Sequence, residues 1–389
     1  KKNDQVLVGQ MLAEAEGYVS ANIVSSCSGR VKAIEKRRII SGAMSECVVV
    51  ENDGQFTPVE GMGVYRDPWN MTAEEILKAV KDAGIVGLGG AGFPTSVKLK
   101  VDPAKVDYIL VNGAECEPYI TSDTHTMRDN PQRIRTGLDA IKRFFPDSQI
   151  YIGIENNKPE AIRVMREYTD KVEKCDVIEL PSSYPQGGEK VLIYNTTGRI
   201  VPEGKLPLDV GCIVLNATTL AFIGKYLMTG EPLTSKCITL DGSAVKNPQN
   251  LIVPIGTRIS EIVEHIGGLN CEPAKALYGG PMMGLSMPDL EQPILKNTNA
   301  ILIFDEKDAK IPEPTACIHC GRCIDTCPLH LMPTELEQAC LKKDLKRLSA
   351  LKVNLCMECG SCSFVCPAKR NLVESHKIAK QYLREAGIK

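Results

Sequence analysis

The chain has 389 residues, 43% of them hydrophobic and 24% charged, a length that supports about two to four domains with real cores. Its 46 basic and 48 acidic residues nearly cancel, which excludes the strong positive balance of a nucleic-acid binder. No apolar run approaches the roughly 18 residues a membrane span requires, so no transmembrane span is expected.

Nothing in the sequence reads as an export signal. The chain opens on Lys1-Lys2-Asn3-Asp4 without a Met, as a fragment starting inside its first domain would. Sixteen cysteines then point to a reducing compartment. Residues 1–65 read as short strands (Val6-Leu7-Val8, 21–24, 30–34 and 47–50) with hairpin turns at Gly9, Gly17, Gly29 and Gly54. The pattern resembles a biotinyl/lipoyl-type barrel-sandwich. Its expected tip, Gly17-Tyr18-Val19, lacks a carrier lysine, so a structural copy without a swinging arm is expected.

Over 66–235 the pattern becomes α/β. Thr72 and Glu75 are spaced as a capping box for a helix striped by Ile76, Leu77 and Val80. That helix runs into Gly87-Leu88-Gly89-Gly90-Ala91-Gly92-Phe93-Pro94, where glycines let backbone N–H groups approach a flat or phosphorylated ligand. Pro94 suits the first position of the next helix, and Lys98 adds a positive charge one turn on. Apolar runs at 106–111, 149–154, 175–180 and 212–215 predict a mostly parallel sheet, with helices starting near Pro131 and Pro159 between the first three. Polar residues follow the strand ends, where such sheets bind ligands: Asn112 with Glu115 and Glu117, then Glu155-Asn156-Asn157, then Asn216.

From Lys236 to 300 a small α+β unit is expected, with a helix near 259–266 and a Gly279-Gly280-Pro281-Met282-Met283-Gly284 loop. Met282, Met283 and Met287 read as core filler. The remainder, 301–389, carries two copies of C-x2-C-x2-C-x3-C-P. This spacing places three thiolates on one iron–sulfur cube and sends the fourth to its neighbour. One [4Fe–4S] cluster is therefore assigned to Cys317, Cys320, Cys323 and Cys366, and the second to Cys327, Cys356, Cys359 and Cys362. Paired zinc knuckles would not need these third and fourth cysteines. His319, His330 and His376 are not needed as ligands. Between the runs, Thr334 and Glu337 are spaced to cap a helix with Leu336, Cys340, Leu341 and Leu345 on one face. Lys342, Lys343, Lys346, Arg347 and Lys352 form a solvated face on the other, or a docking surface for an acidic ferredoxin or partner subunit.

The motifs at 87–95, 112–118 and 184–190 resemble the FMN and NADH motifs of the flavoprotein subunit of complex I. The chain departs from that pattern at Leu88-Gly89, Ala114 and Gly188-Glu189. The whole chain resembles the C subunits of Rnf-type ion-translocating ferredoxin:NAD oxidoreductases. The resemblance implies a multidomain α/β and α+β fold. In order these are the barrel-sandwich, a Rossmann-like FMN/NADH domain, a β-grasp module and a helical ferredoxin-like domain. It implies non-covalent FMN against Gly87, Gly89, Gly90 and Lys98, partnered by Asn112, Glu115 and Asn216. It places NAD(H) near Phe93, Glu117, Tyr184 and Glu189.

The function expected on these grounds is electron transfer between the clusters, FMN and NAD(H), with no side-chain nucleophile. Expected partners are the membrane and iron–sulfur subunits of the complex, with ferredoxin indirectly, at the cytoplasmic face of the membrane. A cobalamin reductase of bacterial microcompartments, a flavin-free electron wire and a β-grasp ligand scaffold are the alternatives.

Overall fold

The computed structural model describes residues 1–388. In the N-terminal module, β1 (Gln5–Val6), β4 (Gly29–Arg38) and β5 (Met44–Asn52) form one small sheet. The other pairs β2 (Met11–Ala13) with β3 (Ile23–Val24). The long β4–β5 hairpin turns at Gly42, φ +85°, a position the sequence pattern does not mark. Gly29 is not a hairpin turn. It begins β4 where a Cβ would lie 2.0 Å from the Glu51 carbonyl oxygen, so it permits close strand approach.

The capping box forms on α1 (Ala73–Asp82): Thr72 accepts from the Glu75 N–H and Glu75 accepts from the Thr72 N–H. Ile76 and Val80 turn the amphipathic face into the main core. Pro94 sits one position earlier than expected, at the N-cap of α2 (Thr95–Leu99). The sheet that follows is wholly parallel, in the order β8 (Cys175–Leu180), β7 (Gln149–Glu155), β6 (Tyr108–Asn112), β9 (Cys212–Asn216). Helices α3 (Ser122–Asp129), α4 (Pro131–Phe144), α5 (Pro159–Thr169), α6 (Glu189–Thr197) and α7 (Ala217–Thr229) complete this domain. Both faces of β6 are covered, which is why Ile109, Leu110 and Val111 are all buried and read as an unbroken apolar run. Two glycines set the packing of α4 on α7. A Cβ at Gly224 would lie 2.0 Å from the Arg133 oxygen, and one at Gly137 would lie 2.3 Å from the Leu220 oxygen.

The third module is a mixed five-stranded sheet, β11 (Gln249–Pro254), β10 (Ser235–Asp241), β14 (Ala300–Phe304), β12 (Lys275–Tyr278), β13 (Leu285–Met287), packed on α8 (Ile259–His265). The expected boundary at 300/301 is wrong. It cuts β14, a buried inner strand of this sheet, and the helical domain starts only after α9 (Glu306–Ala309) and an extended proline-rich link. Of the three methionines, Met287 is in the core, whereas Met283 is 50% exposed.

The last domain contains α10 (Arg322–Asp325), α11 (Pro333–Leu341), α12 (Leu345–Ala350), α13 (Ser361–Phe364) and α14 (Leu372–Glu385). Pro333 occupies the first turn of α11 and Met332 its N-cap, so Thr334 and Glu337 do not form the expected cap. Glu337 is buried instead and pairs with Arg370 at 2.7 Å. Leu341 lies outside the buried face, 66% exposed.

Candidate redox site

Strand order reverses between β6 and β9, the switch point at which open parallel sheets bind ligands. Asn112 and Asn216 face each other there in register. Asn112 Nδ2 donates to the Gly187 carbonyl at 2.8 Å, tying the strand end to the loop before α6. Loop 87–92 arches over the same edge, closed by Gly87 N–H on Phe93 O at 2.8 Å and Gly92 N–H on Gly87 O at 3.0 Å. A Cβ at Gly89 would lie 2.6 Å from Asn216 Nδ2, so only glycine lets the loop sit this close to β9. Gly90 adopts φ +112° and faces open space, as a backbone that admits a flat ligand must. Lys98 Nζ stands between the Val214 carbonyl, at 3.0 Å, and Glu189, at 3.4 Å. Phe93 lies at the rim, 36% exposed. These residues accept the backbone approach and polar partners that a flavin requires.

Glu115 and Asn216, both expected as flavin partners, are taken up in capping helices. Glu115, at φ +44°, accepts the Asp123 N–H at 2.6 Å and the Thr124 N–H at 2.9 Å, capping α3 where Thr121 makes no side-chain cap. Burial, followed by the neighbouring Asp123 charge, pushes its pKa up to about 7. Asn216 caps α7 through Thr219 N–H and donates to Asp123 at 2.6 Å. Asp123 escapes sequence reading because 122–129 shows no apolar periodicity. Lys158, at the N-cap of α5, clamps the 112–118 loop, on the Ala114 carbonyl at 2.8 Å and Glu155 at 2.6 Å.

Glu117 accepts the Met282 N–H at 3.0 Å and the Met283 N–H at 2.9 Å, and lies 3.4 Å from the Tyr184 hydroxyl. It thereby ties the α/β domain to the 279–284 loop, and burial raises its pKa. Glu117→Gln presents one acceptor and one donor to two N–H groups. The substitution is expected to cost about 1–3 kcal/mol at this junction, measured as a lower thermal midpoint, and to weaken NADH oxidation with both clusters assembled. Unchanged kinetics would remove Glu117 from the dinucleotide partners that the resemblance implies.

The two cysteine runs fold as repeats of one turn. His319 and Glu358, Gly321 and Gly360, and His330 and Lys369 have positive φ at equivalent places. The Gly321 and Gly360 turns lead into α10 and α13. One cavity is lined by Cys327, Cys356, Cys359 and Cys362 and by none of the other four. Burial pushes the Cys323 thiol up, and the Cys366 and Cys317 thiols are close enough to add to that rise. Among the described residues no three Cys, His, Asp or Glu side chains converge on a single ion, so the cysteine sets rest on that cavity and those neighbours. His376 is buried between Cys356 Sγ, at 3.5 Å, and the Pro333 carbonyl, at 3.2 Å.

The sets differ at one cysteine: Cys320 is exposed, whereas the other seven are buried or partly buried. Ile318 and Phe364 are exposed as well, at 66% and 73%. Cys359 and Cys362 are buried. Tyr184 donates to the Cys359 carbonyl at 2.7 Å, and Gly360 packs on Met282. Gly188, just before α6, packs against the second cysteine run: a Cβ there would lie 2.0 Å from Met357 Cε. None of these contacts is visible in local sequence.

The C subunit of the Na(+)-translocating ferredoxin:NAD(+) oxidoreductase complex of Acetobacterium woodii is 41% identical over 98% of this chain and 86% of its own length. The chain belongs to this C-subunit family. The proton-translocating counterpart from Clostridium ljungdahlii is 40% identical over 100% of the chain and 85% of its own length. The C subunit of the Rhodobacter capsulatus ion-translocating oxidoreductase complex is 38% identical over 99% and 75%. Family descriptions divide the chain along its modules. The RnfC barrel sandwich hybrid domain matches 1–55, the Nuo51 FMN-binding domain 80–225, the SLBB domain 237–286 and the 4Fe-4S dicluster domain 316–371. In fold the chain is similar to a chain of an NAD+-reducing [NiFe]-hydrogenase, with a TM-score of 0.56 at 18% identity. The match covers 83% of this chain and 64% of that one.

Proposed function

We propose that this chain is the electron-transfer subunit of a membrane-associated, ion-translocating ferredoxin:NAD oxidoreductase, serving two [4Fe–4S] clusters, FMN and NAD(H). The observation that carries it is the junction at Tyr184, where the α/β domain that matches an FMN-binding family meets the inner cysteine run directly. When bound, FMN supplies the exchange between the two electrons of a hydride and the single electrons of the clusters.

The chain's residues hold and orient. Gly87, Gly89, Gly90, Lys98 and Asn112 form the flavin cradle. Glu115 and Asn216 act through the helices they cap. Phe93, Glu117, Tyr184 and Glu189 line the nicotinamide side. Cys327, Cys356, Cys359 and Cys362 hold the inner cluster at the protein junction, and Cys317, Cys320, Cys323 and Cys366 the outer one. Cys359 and Cys362 of the inner set are buried beside the junction, and the exposed Cys320 of the outer set faces an iron–sulfur partner subunit, through which ferredoxin is served. The site is peripheral, at the cytoplasmic face of the membrane. Among the described residues no helix is long and apolar enough to cross a membrane.

Anaerobic isolation of the chain tests the assignment. Iron and sulfide for two cubes, FMN bound or readily taken up, and NADH oxidation with an artificial acceptor are expected. Full iron without any affinity for flavin would leave only an electron wire.

A further inference from the structure

The β-grasp module grips the glycine loop from behind. Lys236, on β10, is buried, and its ammonium donates to the Leu88 carbonyl. Asn297, three residues before β14, donates from Nδ2 to the Gly90 carbonyl at 2.7 Å. The Leu88 N–H is held in turn by Thr219 Oγ1 at 2.9 Å. In a planar trans peptide the carbonyl and the next N–H point in opposite directions. Anchoring the Leu88 carbonyl on Lys236 therefore aims the Gly89 N–H away from that lysine. Anchoring the Gly90 carbonyl on Asn297 likewise aims the Ala91 N–H away from it. Among the described residues, the N–H groups of Gly89, Gly90 and Ala91 meet no protein acceptor, and all three residues are exposed. Successive free N–H groups of this kind make a concavity for an anion.

We propose that Lys236 and Asn297 are positioning residues that shape loop 87–92 into a phosphate cradle, so that the β-grasp module completes the cofactor site. The proposal rests on the flavin reading above and adds the phosphate, of the flavin or of the dinucleotide, as the group recognised. A purely structural staple explains Lys236 poorly. The Leu88 carbonyl is its one hydrogen-bond acceptor among the described residues, while methionine would fill the same channel without burying an ammonium. Burial pulls its pKa down to about 7, and the Asp123 charge acts against that pull.

The test titrates flavin-stripped chain with FMN and with riboflavin, which lacks the phosphate, and the FMN-loaded chain with NADH. Lys236→Met and Asn297→Ala are each expected to weaken FMN binding about tenfold or more while riboflavin binding is nearly unchanged. Lys236→Arg, which keeps the donor and the charge, is expected to recover part of the loss. The same loss in NADH binding, with FMN unchanged, assigns the phosphate to the dinucleotide. Asn297 is only partly buried, so its variant carries the test if Lys236→Met does not fold. Equal weakening of FMN and riboflavin, or no change in any affinity, overturns the proposal while the flavin site stands. A wild-type chain that takes up no flavin overturns both.

Discussion

Replacing Cys366 with alanine is expected to remove the cluster held by Cys317, Cys320 and Cys323, and to leave the cluster nearer to Cys366 in sequence intact. Cys366 ends the second run, yet it neighbours Cys323 and stays out of the cavity ringed by Cys327, Cys356, Cys359 and Cys362. A three-thiolate cube exposes one iron to water or foreign ligands, so the outer cluster should be lost or degraded on isolation. Half of the iron and sulfide should remain, together with one low-temperature electron paramagnetic resonance signal after reduction. NADH oxidation with a small acceptor should persist, because the α/β domain and the inner cysteine set are untouched, whereas transfer from the iron–sulfur partner should be abolished. Loss of the inner cluster instead would invert the pairing.

Gly89→Ala should give the opposite phenotype, both clusters present and the flavin gone. The added methyl would sit 2.6 Å from Asn216 Nδ2, and Asn216 cannot retreat, since Thr219 N–H and Asp123 hold both ends of its amide. The loop must move instead. Overpacking of this kind costs about 1–3 kcal/mol, and the displaced backbone is the surface that a flavin would lie against. The ratio of flavin to iron in anaerobically isolated protein is expected to fall about fivefold or more, since about 1.4 kcal/mol corresponds to a factor of ten. A variant that keeps its flavin would place the cofactor away from loop 87–92. The same substitution at Gly90 is a useful comparison: a Cβ there meets open space, but φ +112° is a conformation that L residues rarely adopt.

Much of the architecture is legible locally. Parallel strands buried on both faces leave unbroken apolar runs, and the Thr72–Glu75 box marks α1 to the residue. The cysteine spacing encodes its turns because each run must curl within a dozen residues. Where local rules fail, a partner distant in sequence has taken the group. Glu337 is spaced as a cap, but Arg370, 33 residues on, claims it. Apolar β14 reads as part of the wrong domain because its pairing partners, β10 and β12, lie far upstream.

By itself the sequence marked the two cysteine runs and the glycine loop, since each depends on spacings within a few turns of chain. Only the tertiary structure decided which polar groups are free. Glu115 and Asn216 are consumed in capping helices, and Glu117 reaches 165 residues along the chain to the Met282 N–H. The tertiary structure also decided that Tyr184 meets the inner cysteine run and that the β-grasp module grips the glycine loop from behind. Hydrogen-bond satisfaction of buried groups is a property of three-dimensional neighbours, and spacing along the chain carries no record of it.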